Sequence, residues 1–274
     1  MAAKRIAILG TGHIGQALVR GFLAAKKTDR EHLLATIPDA KKAEELGKEL
    51  GIPVITSNPE AATQADVVVF SVKPQVLPAV LKEVAPLLTP EKLVVSVAAG
   101  MQTGFIEGLL DKEVPVVRLM PNVAVAAQQG ATGMASGRWA EEEHVGFVKD
   151  LFSSVGLVLE IEEDLMDAVT GLSGTGPMYI FQVIEGLSDA GVKVGLSRDQ
   201  AHALAVQTTL GSAHMARDYG RHPGHLKDLV TSPAGTAISA LHLMERSGFR
   251  SILMDAVEEA ARRSGELGRM HMGK

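Results

Sequence analysis

The stretch Arg5-Ile6-Ala7-Ile8-Leu9-Gly10-Thr11-Gly12-His13-Ile14-Gly15 decides the fold. Residues 6–9 are an unbroken apolar run of strand length, and residues 14–25 carry apolar positions at helical spacing. Three glycines in the spacing GxGxxG fall where one gives way to the other. Gly10 permits a tight turn, Gly12 lets the backbone approach a pyrophosphate, and Gly15 lets the helix pack close to the strand. The helix start adds free N–H groups and the positive end of a dipole. Residues Gly10, Thr11, Gly12, His13, Ile14 and Gly15 therefore read as a dinucleotide-binding turn, an unliganded glycine turn being the alternative.

Outward from this turn, strand candidates at 5–9, 33–36, 67–71, 93–97 and 114–119 alternate with amphipathic stretches at 14–25, 40–50, 76–88 and 103–110. Continuous apolar strands separated by helices predict a parallel sheet covered on both faces. A later pair, 132–135 and 158–160, brackets a helix near 141–154 and extends the sheet. After about Glu163 strand signals stop, and helical patterns run through 179–192, 198–215, 225–229, 238–246 and 252–267, with Ser197 as an N-cap. The expected class is α/β: an N-terminal Rossmann-like, doubly wound, mostly parallel sheet over 1–163, then an all-α dimerisation and substrate domain over 164–274. Residues 178–190 are apolar around most of the helix circumference, which a singly solvated helix would not tolerate. Burial against a second copy of the chain is the reading, a central helix within one monomer the alternative.

Composition excludes several classes. With 46% hydrophobic residues among 274, there is ample material for a core. A net charge of −5 argues against nucleic acid or an anionic membrane as partner. No cysteine is present, so disulfide scaffolds, thiolate zinc sites and cysteine nucleophiles are excluded. Residues 1–4 lead directly into the first strand, leaving no room for a leader, and no run reaches the ~18 apolar residues of a membrane helix. A cytoplasmic protein is expected. His214, His222 and His225 cluster around a helix end without a convincing carboxylate partner at ligand spacing, so no metal is expected.

The end of the second strand usually carries an acid that holds the ribose 2′-hydroxyl of NAD. Here Thr36 or Ile37 occupies that place, and the nearest cations are Lys41 and Lys42. The missing acid leans toward NADPH over NADH, although the lysines also fit an ordinary solvated helix face.

The remaining motifs resemble the pyrroline-5-carboxylate reductases, the last step of proline biosynthesis. They are Ser71-Val72-Lys73-Pro74-Gln75, Ser96-Val97-Ala98-Ala99-Gly100, Arg118-Leu119-Met120-Pro121-Asn122, Leu172-Ser173-Gly174-Thr175-Gly176-Pro177 and Val230-Thr231-Ser232-Pro233-Ala234-Gly235-Thr236, followed by Gly248-Phe249-Arg250 and Ala261-Arg262-Arg263-Ser264. They span nearly the whole chain in the family's order. Ser71, Val72, Lys73 and Pro74 lie at a strand's C-terminal end, where open α/β sheets bind ligands, and Ala98, Ala99 and Gly100 are small enough for a flat ring to approach. The resemblance places Asn122 beside the nicotinamide, with a turn-forming asparagine as the alternative. It also implies that the amides of Ala234, Gly235 and Thr236, with Ser232, bind the substrate carboxylate at a helix start, and that Ser173 and Gly174 complete the pocket.

The family commonly carries a hydroxyl residue where this chain has Ala237, leaving Thr236 or a water to assist the imine nitrogen. The implied reaction is hydride transfer from NAD(P)H to the C=N carbon of 1-pyrroline-5-carboxylate by a homodimer or a larger ring of dimers. Two rivals remain. A β-hydroxyacid dehydrogenase-like enzyme would place a lysine four residues before an asparagine, which neither Asn58 nor Asn122 has. A non-catalytic NAD(P)-binding sensor or assembly protein draws support from Ala237.

Overall fold

The computed structural model describes residues 4–272. Eight strands and the helices between them follow in order: β1 (Ile6–Leu9), α1 (His13–Ala24), β2 (Leu33–Thr36), α2 (Ala40–Leu50), β3 (Val54–Ile55), α3 (Asn58–Gln64), β4 (Val67–Phe70), α4 (Leu77–Val84), β5 (Leu93–Ser96), α5 (Thr103–Leu110), β6 (Val116–Met120), β7 (Gly130–Ser136), α6 (Glu142–Phe152) and β8 (Gly156–Glu160). They form one sheet in the order β3-β2-β1-β4-β5-β6-β7-β8. The pairings β3–β2, β2–β1, β1–β4, β4–β5 and β5–β6 are parallel, β7 runs antiparallel to β6, and β8 is parallel to β7. The first six strands thus have the doubly wound order, with connections leaving β1 in both directions.

The unbroken apolar strands follow from cover on both faces. Ile6 and Ile8 point into one core layer and Ala7 and Leu9 into the other, and Val67 and Val69 oppose Val68 and Phe70 in the same way. Sequence reading missed β3 and α3. A two-residue strand has no period to detect, and α3 is seven residues long. Its signature was present: Ser57 caps the helix by accepting from the Glu60 amide, Pro59 sits in the first turn, and Ala61 and Ala62 are fully buried.

The remaining helices are α7 (Met166–Val169), α8 (Gly176–Lys193), α9 (Arg198–Tyr219), α10 (Pro223–Asp228), α11 (Thr236–Arg246) and α12 (Phe249–Met272). The chain divides into two compact units: residues up to Thr175 together with those from Glu258 onward, and Gly176–Val257. In the first unit Met166 is fully buried beside Gly133 of β7, and Ser264 of α12 donates to Asp167. Residues 170–174 form a π-helical turn running on from α7, with the Thr175 amide donating to the Thr170 carbonyl. In the second unit only Ser188, Ala201 and Ala205 are buried among the described residues. Met178, Ile180, Phe181 and Leu187 of α8 and Leu204 of α9 are exposed. The unit therefore carries an apolar surface that it does not itself cover.

Candidate functional site

The glycine turn is held by one carbonyl. Gly10 N–H, Thr11 N–H and Thr11 Oγ1–H all donate to the Thr36 carbonyl oxygen, at 3.2, 3.0 and 2.8 Å. The amides of Gly10 and Thr11 are thus engaged inside the protein, and Thr11 is buried; their part in the site is to position the turn. Gly10 has φ of +93°, and a Cβ there would lie 2.7 Å from Val72 Cγ1. A Cβ on Gly15 would lie 2.4 Å from the Gly10 carbonyl oxygen, so the helix approaches the turn as closely as backbone permits. A Cβ on Gly12 would meet nothing within 4 Å. The first helical bond runs from Gln16 N–H to the Gly12 carbonyl, which leaves His13, Ile14 and Gly15 as the first-turn amides of α1. The His13 side chain is exposed on that turn.

At the end of β2, Thr36 is buried and works inward. Its hydroxyl accepts from Gly10 N–H at 3.3 Å and donates to Asn58 Oδ1 at 2.6 Å, and Asn58 Nδ2 donates to Glu83 Oε2 at 3.1 Å. Asn58 was not among the expected site residues; its signal is an asparagine at the start of a helix that follows β3. The nearest acid in sequence, Asp39, caps α2 by accepting from the amides of Lys41 and Lys42.

Beyond β4, Ser71 N–H donates to the Leu9 carbonyl, while Ser71 Oγ is buried with no hydrogen-bond partner among the described residues. The Lys73 carbonyl accepts from Val76 and Leu77 N–H and so opens α4 behind Pro74. Beyond β5, the Ala98 methyl belongs to the core rather than to an open surface, and only its backbone could meet a ligand. Ala99 and Gly100 instead line a cavity of about 260 Å³ with Pro74, Gln75, Ser264 and Leu267. Asn122 has the turn-forming role: Oδ1 accepts from the Ala124 and Ala131 amides, and Nδ2 donates to the Ser173 carbonyl at 3.0 Å. Ser173 Oγ donates to the Val169 carbonyl, and a Cβ on Gly174 would strike Met120 Cε at 2.6 Å.

In the second unit, Ser232, Ala234, Gly235 and Thr236 form the turn that opens α11. Ala234 has φ of +55°, and Gly235 is the N-cap without a side-chain cap. The Gly235 amide donates to the Ser232 carbonyl at 3.0 Å, so it is taken up within the turn. Thr236 and Ala237 supply the first-turn amides.

These groups fit a dinucleotide. The open face at Gly12, the first-turn amides of α1 and the orphaned Ser71 hydroxyl lie along the C-terminal ends of β1 and β4, where the strand order reverses. Fold and turn define a dinucleotide-binding protein of the Rossmann class. Residues 5–100 match the family described as NADP oxidoreductase, coenzyme F420-dependent, and residues 163–267 the one described as pyrroline-5-carboxylate reductase dimerisation. The Methanosarcina acetivorans pyrroline-5-carboxylate reductase is 42% identical over 269 residues, covering 98% of this chain and 100% of that one. Pyrroline-5-carboxylate reductase 3 of Mus musculus is 38% identical over 97% of each chain. Among solved structures, the Plasmodium falciparum pyrroline carboxylate reductase with NADP bound superposes with a TM-score of 0.89 at 33% identity, covering 98% of this chain and 99% of that one. The Coxiella burnetii enzyme gives 0.90 at 32%, covering 97% and 98%. The chain belongs to the pyrroline-5-carboxylate reductase family, as its sequence blocks imply.

Proposed function

We propose that this protein reduces 1-pyrroline-5-carboxylate to L-proline at the expense of NAD(P)H. The observation that carries the reading is the glycine turn, whose Gly10 and Thr11 amides are fastened to Thr36 while the Gly12 face and the start of α1 stay open. It is supported by whole-chain similarity to proteins bearing that activity in their names. When bound, the reduced nicotinamide supplies a hydride, two electrons, to the C=N carbon. The ring nitrogen keeps or gains one proton, and the product is the saturated amino acid. A cyclic iminium already accepts hydride, so the chain needs no strong base; it aligns two molecules and keeps water out.

Each residue then has a part. The first-turn amides of His13, Ile14 and Gly15 hold the pyrophosphate, and Ser71, with the Val72–Pro74 backbone, lines the path toward the ring. Asn122 keeps the loop after β6 in register with Ser173 and Gly174, which by resemblance serve the substrate. The turn from Ser232 through Thr236 takes the carboxylate on the Ala234 and Thr236 amides, the Gly235 amide being occupied. Thr236 Oγ1–H assists the nitrogen in place of the hydroxyl absent at Ala237.

NADPH is the preferred reductant in this reading, because the Asp39 carboxylate is committed to capping and Lys41 and Lys42 lie beside it. The exposed apolar side chains of α8 and α9 support a homodimer, from which a ring of dimers could be built. The cysteine-free composition agrees with a cytoplasmic setting. The test is turnover of pyrroline-5-carboxylate with NADPH and with NADH, followed at the reduced-cofactor absorbance. Oxidation with a lower KM for NADPH is expected; no consumption above background would favour the sensor.

A further inference from the structure

The part of α12 beyond Glu258 belongs to the same compact unit as the sheet, and there it meets the turn after β5 backbone to backbone. A Cβ on Gly268 would lie 2.7 Å from the Gly100 carbonyl oxygen. One on Gly100, whose φ is +72°, would lie 3.3 Å from Gly268 Cα. One turn earlier Ser264, 6% exposed, donates to Asp167 Oδ1 at 2.6 Å. Helix propensity alone would favour alanine at 268; the close approach is what requires glycine. The cavity of about 260 Å³ lies between this helix segment and the turns after β4 and β5. Its lining surface is mostly apolar, with Gln75, Thr170, Thr175 and Arg263 adding polar groups, a mixture and size that suit a flat polar heterocycle.

We propose that the last turns of α12 form one wall of the hydride-transfer pocket, and that Gly268 is a positioning residue that sets the Ala99–Gly100 turn against the nicotinamide end. The inference rests on the cofactor reading above. Gly100 and Gly268 fix the spacing of the wall, and the Ser264–Asp167 bond fixes the rotation of the helix. A displacement of a few tenths of an ångström there would misplace the ring while leaving the adenosine end of the site, at Gly10–Gly15 and Thr36, undisturbed.

The experiment compares Gly268→Ala, Ser264→Ala and Gly104→Ala, the last adding a methyl to α5 where nothing lies within 4 Å. Affinities for NADP⁺ and for 2′,5′-ADP are measured by calorimetry, with kcat beside them. Gly268→Ala should weaken NADP⁺ about tenfold and lower kcat while 2′,5′-ADP binds within twofold of wild type. Ser264→Ala should show the same selective loss in smaller degree, and Gly104→Ala none. NADP⁺ affinity and kcat equal to wild type in Gly268→Ala and Ser264→Ala overturn the inference, as does an equal loss for NADP⁺ and 2′,5′-ADP. The 2′,5′-ADP titration of the wild-type protein reports separately on the cofactor reading.

Discussion

Removal of the Glu163 carboxylate should be among the costliest single changes in the sheet-bearing unit. Arg118, on β6, is 2% exposed, and its Nη1 donates to Glu163 Oε1 at 2.5 Å. Its Nε and Nη2 have no hydrogen-bond partner among the described residues, so Glu163 is the counter-charge of a buried cation. Glu163 Oε2 also accepts from Thr103 Oγ1 at the start of α5. Two unit charges about 4 Å apart at an effective dielectric near 20 attract by about 4 kcal/mol. Breaking a buried pair costs about 3–5 kcal/mol, because the remaining charge is stranded. Glu163 is 24% exposed, which lets water reach the site and favours the lower end. Glu163→Ala should therefore lose about 3 kcal/mol in urea unfolding at fixed protomer concentration, or roughly 6–12 °C in Tm. The double variant Arg118→Met, Glu163→Leu should return to within about 1 kcal/mol of wild type, since apolar replacement of both partners is often neutral. A loss below about 1 kcal/mol in Glu163→Ala, or a double variant no better than the single, would refute the reasoning.

Three further outcomes follow from particular residues. Ala234 holds φ of +55°, which costs a non-glycine residue about 1–2 kcal/mol; Ala234→Gly should be neutral to slightly stabilising in urea melts, whereas Ala234→Val should lose at least about 1 kcal/mol. Met178→Lys, on the exposed apolar surface of α8, should give monomeric or insoluble protein by size-exclusion chromatography, and a well-folded active monomer would contradict the homodimer. Thr236→Val should depress turnover strongly with little change in cofactor affinity; an unchanged rate would assign the protonation to water.

Much of this architecture was legible because both-faced burial forces continuous apolar runs. Val67–Phe70 could be read as a central strand for that reason, and the GxGxxG spacing alone located the turn. What sequence could not convey was where individual amides point. Gly10, Thr11 and Gly235 carry the residue types of a binding turn, yet their N–H groups are engaged by Thr36 and Ser232 carbonyls, because a tight turn must satisfy its own backbone before it can serve a ligand. Asn122 likewise proved to be a tie between three segments. Asn58 and Gly268 were not read as site residues because each acts through a neighbour far away in sequence, Thr36 and Gly100. The grouping of the end of α12 with the sheet-bearing unit was hidden for the same reason: a serine–aspartate bond spanning 97 residues ties it there.

The most direct measurement is product stoichiometry with the wild-type protein and Gly12→Ala side by side. Gly12 has open space around it, so the added methyl should leave folding intact and meet only a bound pyrophosphate. Wild type should form one L-proline for each NADPH oxidised, and Gly12→Ala, equally stable, should need at least tenfold more NADPH for the same rate. Proline formation at wild-type efficiency by Gly12→Ala, or none by the wild-type protein, would contradict the account.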